Sequence, residues 1–332
     1  MFKWLFGTTS PEELARQKRQ QLSLESLQKG GIPLDAKERI EREVARGNFF
    51  FSSDLSAQEM SLAHETGVEV IGQVMGSSFY NVSFYGLLQR QQRSTGEMLD
   101  LTKAHLDARQ LAMSRLQQEA TLLGASGVIG VRIKSNVHSW GNRLTEFTAV
   151  GTAVRISGYT GEPFTSALSA QEFWQLHKAG YLPVGVALGV CSYYMYTDPD
   201  TRSMLYGYWN SRKNVEVPLY TQGLQYAREK AMDRLTSDIE AHKGEGVVGM
   251  EVDFSMEHIE YDSSSQTYHD LIAHVVAFGT IVQYRPDIVE PTPKKGLMMI
   301  DLSTRPKGRH GTTRMTALGE GHTQGNRLGH TR

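Results

Sequence analysis

One segment carries the repeating unit of this chain: LTKAHLDARQLAMSRLQQEATLLGASGVIGVRI, residues 101–133. Apolar side chains recur in its first part at steps of three and four residues, the spacing that places them on one face of an α-helix. Gly124 is expected to end this helix, because glycine adopts the left-handed conformation of a C′ position without strain. The β-branched run from Val128 to Ile133 then favours a buried strand. The sequence therefore predicts a long helix that folds back onto a sheet.

The same unit occurs a second time. Residues 220–252 repeat the helical spacing and the glycine-rich turn into a strand, 119 positions later. Upstream, LSAQE at 55–59 returns at 168–172, an offset of 113. Downstream, FTAVGTAV at 147–154 and VVAFGTIV at 275–282 are offset by 128. The offsets differ where loops have grown, so the chain contains two tandem repeats.

Three motifs of the first repeat resemble the YbjQ-like family. They are the strand VIGQVMG at 70–76, the turn GASGVIG at 124–130 and the closing GTAV at 151–154. The second repeat departs from this pattern, with KGEG at 243–246 and GTIV at 279–282. The resemblance implies an α+β unit of the dodecin or YbjQ type, in which one long helix packs on an antiparallel sheet and the units assemble into pentameric rings. The family also carries a heavy-metal-binding label.

The repeats and the resemblance divide the chain into four predicted parts. These are a helical N-terminal arm (1–48), a first YbjQ-like domain (49–158), a second YbjQ-like domain (159–286), and a linker with a disordered basic tail (287–332). Residues 303–332 hold six Lys or Arg and one Glu with no periodicity. Such a composition does not bury a core, which is why disorder is expected there.

Two polar helices are predicted in the arm. A serine N-cap, a proline at N1 and a glutamate at N3 predict a helix from Pro11 to about Gln28. A second helix is expected from Asp35 through Val44, ending at Gly47. Thin apolar stripes favour packing of these helices on a neighbouring subunit or on the surface of a ring. Residues 1–7 contain several apolar side chains around Lys3. This segment is expected to pack on the protein or to lack structure, and the alternative is contact with a membrane interface.

Small residues in both repeats indicate close packing. Gly72 and Gly76, with their counterparts Gly185 and Gly189, lie in strand patterns, where a missing side chain marks a bulge or a nearby backbone. In a ring that backbone would belong to the next subunit. A column of small residues on each long helix fits helix-on-sheet packing and contact between subunits equally well: Ala104, Ala108 and Ala112 in one, Gly223, Ala227 and Ala231 in the other.

Two other features concern the connections. The polar segments 135–143 and 256–267 are predicted to be solvent-facing loops between the closing strands. An aromatic-rich insert between strand and long helix of the second repeat is typical of an interface. Its members are Tyr193, Tyr194, Tyr196, Tyr206, Tyr208 and Trp209.

Composition limits the classes of function. The 332 residues include 35 Lys or Arg and 36 Asp or Glu, so net charge gives no indication of a specific nucleic-acid partner. Cys191 is the single cysteine, which excludes an internal disulfide and favours a reducing compartment. Neither a secretory signal nor an apolar run of about 18 residues is present. The expected location is the cytoplasm.

No catalytic motif stands out. The sequence lacks a G-x-S-x-G elbow and a Walker loop, and the glycine-rich turn at 124–130 follows a helix, the reverse of the order in phosphate-binding loops. Cys191 corresponds to Ser78 of the first repeat and is interpreted as a small apolar residue. We therefore expect a protein that is not an enzyme.

Histidines are the candidate metal ligands. His64 and His177 occupy equivalent positions in the last turn of a short helix, where a histidine also interacts favourably with the helix C-terminus. Four others, His138, His258, His269 and His274, share no spacing that predicts a site within one repeat. In a ring, each subunit could contribute one histidine to a shared divalent-metal site, and His64 and His177 are the candidate ligands.

Together these features predict a non-enzymatic scaffold, and the resemblance to the YbjQ-like family implies that it forms a ring. Its partners would be other copies of the chain and a further protein that the sequence does not identify. The alternative is a protein that binds a metal ion or small ligand between subunits.

Overall fold

A computed structural model describes residues 11–47, 52–81, 94–138, 144–159, 161–206, 214–263, 266–285, 297–299 and 316–318. The chain divides into two compact units, Met1–Pro286 and Asp287–Arg332. The predictions for residues 1–7, for Tyr208 and Trp209, and for most of the tail lie outside the described residues.

The described residues form seven helices and ten strands. In chain order these are α1 Pro11–Gln28, α2 Leu34–Arg46, α3 Ala57–Glu65, β1 Val68–Asn81, β2 Gly96–Glu97, α4 Leu99–Leu122, β3 Gly127–His138, β4 Leu144–Ile156, β5 Phe164–Thr165, α5 Ala170–Lys178, β6 Tyr181–Met195, α6 Pro199–Tyr206, α7 Pro218–Ala241, β7 Gly246–Ser263, β8 Gln266–Tyr284, β9 Leu297–Met299 and β10 Thr316–Leu318. Strands β9 and β10 pair with each other in the second unit. The predicted α+β class is confirmed.

Each repeat is a long helix on an antiparallel sheet. The first sheet has the order β1-β4-β3-β5 and the second β2-β6-β8-β7. Helix α4 packs on β1 and β4, and α7 packs on β6 and β8. The two short outer strands are exchanged between the repeats. Strand β2 precedes the helix of the first repeat but pairs with β6 of the second repeat. Strand β5 precedes the second repeat but pairs with β3 of the first repeat.

The strand glycines divide into two kinds. Gly72 and Gly185 each lie at a register shift, where one extra residue of β1 or β6 forms a bulge. At Gly76 a Cβ would lie 1.9 Å from the carbonyl oxygen of Ala112, and at Gly189 it would lie 2.0 Å from that of Ala231. The close backbone is thus the helix of the same repeat, and the expectation of a neighbouring subunit at these glycines was wrong.

The column of small residues serves the same contact. Ala108 and Ala112 of α4 are fully buried, as are Ala227 and Ala231 of α7. These four alanines pack within their own repeats, whereas Ala104 packs against Tyr194, Ile259 and Ile272 of the second repeat. Contact of the column with another subunit stays a prediction.

Polar side chains of each long helix cover the outer edge of the first long strand. Glu119 accepts a hydrogen bond from the Met75 amide at 3.0 Å, and Arg115 donates to the Ser77 carbonyl at 2.5 Å. The second repeat repeats both contacts. Asp238 accepts from the Leu188 amide at 2.9 Å, and Arg234 donates to the Val190 carbonyl at 3.0 Å.

The arm packs on the first repeat of its own chain. Arg115 of α4 also donates to the carbonyls of Gly31 at 3.0 Å and Leu27 at 3.2 Å. Ile40 of α2 is 2% exposed within the core of the first repeat. The arm thus packs on its own chain, and its contact with a neighbouring subunit or the surface of a ring stays a prediction. The predicted bounds of both helices are confirmed to within one residue.

Two predicted connections are largely strand. The hairpin β7–β8 runs as a paired ladder to Ser263 and Gln266, so the predicted loop at 256–267 is wrong over most of its length. Strand β3 likewise continues to His138. The aromatic insert is also corrected in part, since Tyr193 and Tyr194 belong to β6 and Tyr194 is fully buried.

Candidate functional site

A backbone ladder joins the two repeats within the chain. Residues 164–168, here the second leading segment, lie along residues 126–131, here the first edge. Four hydrogen bonds connect them: Phe164 N to Ser126 O at 3.2 Å, Ser166 N to Val128 O at 2.8 Å, Val131 N to Ser166 O at 2.9 Å and Gly130 N to Leu168 O at 2.9 Å. The first edge is buried as a result, with Val128 and Val131 at 0% exposure.

The equivalent edge of the second repeat is uncovered. Residues 245–250, here the second edge, form the outer side of β7, at the end of the sheet. Its residues range from half-buried to exposed, and Met250 is 44% exposed. Outside the β7–β8 ladder, no backbone group of the described residues bonds to the Val247 carbonyl or to the amides of Gly249 and Met250. These are the counterparts of the groups that hold the second leading segment on the first edge.

A matching segment precedes the first repeat. Residues 52–55, here the first leading segment, correspond to 165–168. The amide of Asp54 donates to Thr152 Oγ1 at 3.3 Å, as the amide of Ala167 donates to Thr280 Oγ1 at 2.9 Å. The two leading segments are therefore held in the same way against their own repeats.

A second contact joins the repeats beside β2. The Met98 amide donates to the Ser192 carbonyl at 2.9 Å, and the Ser192 amide donates to Thr102 Oγ1 at 2.9 Å. Thr221 corresponds to Thr102 at the offset of 119. Near it Val215 is 51% exposed, and Phe79 of β1, the counterpart of Ser192, is 56% exposed. Phe79 and Val215, at the positions equivalent to the in-chain interface, are thus each more than half exposed.

The histidines predicted as ligands lie on separate helices. His64 is exposed in α3, and His177 is half-buried in α5, where its ring lies 5.5 Å from the Trp174 ring. Burial lowers the pKa of His177. Within the described residues, neither belongs to a group of three close ligand side chains. The metal role of His64 and His177 stays a prediction.

The β7–β8 hairpin brings together three other ligand side chains. His258 Nε2 lies 3.1 Å from His269 Nδ1, and Glu260 Oε1 lies 4.0 Å from the same nitrogen. All three ligand atoms lie within 4.8 Å of one another. Glu260 pairs directly with His269 across the hairpin, which places His258 on the diagonal of the same face. The expectation that these histidines form no site missed this register, which a paired hairpin would have indicated.

Three comparisons with known proteins bear on this chain. Residues 57–157 match a family model described as "Putative heavy-metal-binding" and called YbjQ_1. The UPF0145 protein Ta0182 of Thermoplasma acidophilum is 39% identical over 95 residues, which cover 28% of this chain and 78% of the relative. The chain belongs to the YbjQ-like, UPF0145 family.

Another relative matches this YbjQ-like protein over a stretch longer than one repeat. The encapsulin nanocompartment protein Rv1762c of Mycobacterium tuberculosis is 39% identical over 207 residues, 60% of this chain and 76% of the relative. A UPF0145 protein of Halorubrum lacusprofundi is 36% identical over 98 residues, 29% of this chain and 92% of the relative. None of these names denotes an enzyme. No solved structure matches the chain significantly.

A row of polar side chains lies inside the seam between the repeats of this YbjQ-like chain. Ser192 Oγ lies 2.9 Å from His274 Nδ1, and His274 Nε2 lies 3.4 Å from Glu257 Oε2. Ser192 is fully buried and both its backbone groups are bonded, so no substrate reaches its hydroxyl. The row acts as an internal hydrogen-bonded connection, despite its likeness to a hydrolase triad.

The same seam encloses the ring of His105, which is half-buried. Its ring stacks on His274 at 5.4 Å between centroids and meets the edge of Phe147 at 5.8 Å. Burial, followed by repulsion from His274 and Arg109, lowers the pKa of His105 to about 3. This imidazole is therefore neutral at physiological pH.

Cys191 is also structural in this family member. It is fully buried, and burial together with the Glu97 carboxylate raises the pKa of its thiol to about 12. A thiol with so high a pKa is not a nucleophile near neutral pH.

No helix among the described residues is long and apolar enough to cross a membrane.

Proposed function

We propose that this protein is a non-enzymatic scaffold that assembles head to tail into a closed ring. The observation that carries the proposal is the uncovered second edge, together with the first leading segment that matches it. In one chain, the first edge and the second leading segment already form this interface. A second copy would supply the first leading segment to the free edge.

The chemistry of the edge favours this occupant. An unpaired strand edge presents backbone donors and acceptors and accepts another strand by β-augmentation. The other long sheet edges among the described residues are covered, by the second leading segment in one case and by helix side chains in the others. The bonds expected between copies, by equivalence, run from Ser53 N to Val247 O and from Met250 N to Ser53 O.

An interface between two different surfaces of the same protein is heterologous. Copies joined by such an interface form a closed ring when the rotation from one copy to the next divides evenly into a full turn. Each chain would fill two consecutive positions, and the proposed pentamer-like ring of five chains would contain ten of them. The exposed apolar side chain of Val215 would be covered at the same step.

Two further observations support a scaffold. The relative that matches 60% of this chain is named as a protein of an encapsulin nanocompartment, which favours an assembly role and a protein partner for this chain as well. The buried Ser192 row and the buried Cys191 offer no accessible nucleophile. We keep the cytoplasm as the proposed location.

Native mass spectrometry of the full chain tests the proposal. The expected spectrum shows a closed multimer, a five-fold multiple of the 37.1 kDa chain, that persists in the presence of a chelator. Ser53→Pro removes the amide that donates to the second edge and should release single chains. Ser53→Ala keeps that amide, so its assembly should equal that of the wild type.

Each contrary result has a definite meaning. A wild-type monomer would overturn the ring. An unchanged multimer for Ser53→Pro would show that the leading segment is not the contact. Loss of the multimer on chelation would favour the metal-binding alternative over the scaffold.

A further inference from the structure

We propose that His258, Glu260 and His269 bind one divalent transition-metal ion of the Zn²⁺ class on the outer face of the β7–β8 hairpin. This site is separate from His64 and His177, and it lies beyond the residues that match the family model. It is also independent of ring assembly, since one hairpin of one chain supplies all three ligands.

The distances suit a tetrahedral ion. Two nitrogens bound to Zn²⁺ at about 2.0–2.1 Å in tetrahedral geometry lie roughly 3.3 Å apart. The His258 and His269 nitrogens are already 3.1 Å apart, and their rings are stacked at 5.1 Å between centroids. The Glu260 oxygen, 4.0 Å from His269, reaches the third position by a change of rotamer. Water would occupy the fourth position.

The backbone beneath the cluster is firmly held. Thr197 Oγ1 donates to the His269 carbonyl at 2.5 Å. The next residue, Asp270, is fully buried, accepts from the Thr197 amide at 2.8 Å and is bonded by the Tyr194 hydroxyl. Ile259 points into the core at 4% exposure, so its neighbours His258 and Glu260 both point outward. Rigid strands position metal ligands more accurately than loops do.

Among the residues of the first repeat that the structure describes, no equivalent cluster occurs. Strands β3 and β4 end at His138 and begin at Leu144, whereas β7 and β8 extend to Ser263 and from Gln266. The cluster lies at positions equivalent to residues beyond the described ends of β3 and β4. Two imidazoles and a carboxylate favour zinc and neighbouring transition metals over Mg²⁺ or Ca²⁺, which prefer all-oxygen sites.

Isothermal titration calorimetry of the full chain with ZnCl₂ tests the site. We expect one Zn²⁺ per chain and no competition from equimolar Mg²⁺. Replacement of an outer-shell partner of a metal ligand typically weakens metal binding roughly 10- to 100-fold. Replacement of a direct ligand should weaken it at least as much. His258→Ala and His269→Ala, singly and together, should show this loss, and Glu260→Gln should show a smaller one.

Matched variants keep the test decisive. His64→Ala with His177→Ala should bind Zn²⁺ as the wild type does. Replacement by Co²⁺ should give the intense visible absorption of a tetrahedral ion, and this absorption should vanish in His258→Gln, a variant that keeps a polar side chain of similar size. Absence of Zn²⁺ binding by the wild type, or wild-type affinity in the double His258 and His269 variant, would overturn the proposal.

Discussion

The two long helices end in the same capping motif with different residues at its strained position. In the first repeat, Gly124 with φ of 66° takes the C′ position, and its amide bonds to Thr121 O at 3.0 Å. In the second repeat, Lys243 takes that position with φ of 54°, and its amide bonds to Glu240 O at 3.0 Å. A side chain in the left-handed region costs about 1 kcal/mol or more relative to glycine.

Lys243→Gly should therefore raise the free energy of unfolding. The expected gain is about 0.5–1 kcal/mol, since the greater freedom of glycine in the unfolded chain offsets part of the relieved strain. Urea unfolding followed by circular dichroism measures it. Lys243→Ala keeps the strained backbone and should stay close to wild type, so equal stability of the two variants would contradict this account.

Gly76 and Gly189 should not tolerate a methyl group. A Cβ at either position meets helix backbone at 1.9 or 2.0 Å, which neither rotamer changes nor small side-chain shifts relieve. Gly76→Ala and Gly189→Ala should each lower the free energy of unfolding by at least about 1–3 kcal/mol, the range for overpacked cores. Gly246→Ala is the control, because nothing lies within 4 Å of its Cβ position. Similar midpoints for all three variants would argue against the close helix contact.

At the scale of elements, the periodicity of apolar residues predicted the helices and strands that have one buried face. The helix and strand of residues 101–133 were found because one face of each is buried, and burial imposes spacing on the sequence. The outer half of the β7–β8 hairpin carries polar residues on its exposed face, so its sequence resembles a loop. The histidine cluster was missed for the same reason, since His258 and His269 become neighbours only once the strand register is known.

The carboxylate that covers the edge of β1 provides a prediction at this scale. Glu119 is 6% exposed, and burial raises its pKa. Glu119→Ala leaves the Met75 amide without its acceptor and should cost about 1–3 kcal/mol of the free energy of unfolding. Glu119→Gln retains an acceptor oxygen and should cost clearly less. Thermal unfolding of both variants measures the difference, and an equal loss would mean that Glu119 acts through packing or through Arg39 instead.

At the scale of the whole molecule, the sequence predicted two copies of one unit but not how they join. Offsets between equivalent residues reveal repetition, whereas the exchange of β2 and β5 between the sheets depends on contacts between residues far apart in the chain. The seam that this exchange creates places His105 against His274 and Arg109.

The seam should make the protein sensitive to acid. The folded-state pKa of His105 is about 3, below its ordinary value of 6.5, so the neutral form is favoured by folding. Above pH 6.5 neither the folded nor the unfolded state binds the proton, and full stability is retained. As pH falls from 6.5 towards 3, the unfolded chain gains the proton and the folded chain does not, so stability falls by at most about 1.4 kcal/mol per pH unit from this group.

Comparison of wild type with His105→Gln isolates this effect from the titration of surface carboxylates. Glutamine keeps a polar side chain of similar size but does not titrate, so the variant should lose less stability than the wild type between pH 7 and pH 4.5. Urea midpoints measured across that interval give the difference directly. Parallel curves would mean that the seam opens or admits water before His105 is protonated, and the two repeats would then separate as independent folding units in acid.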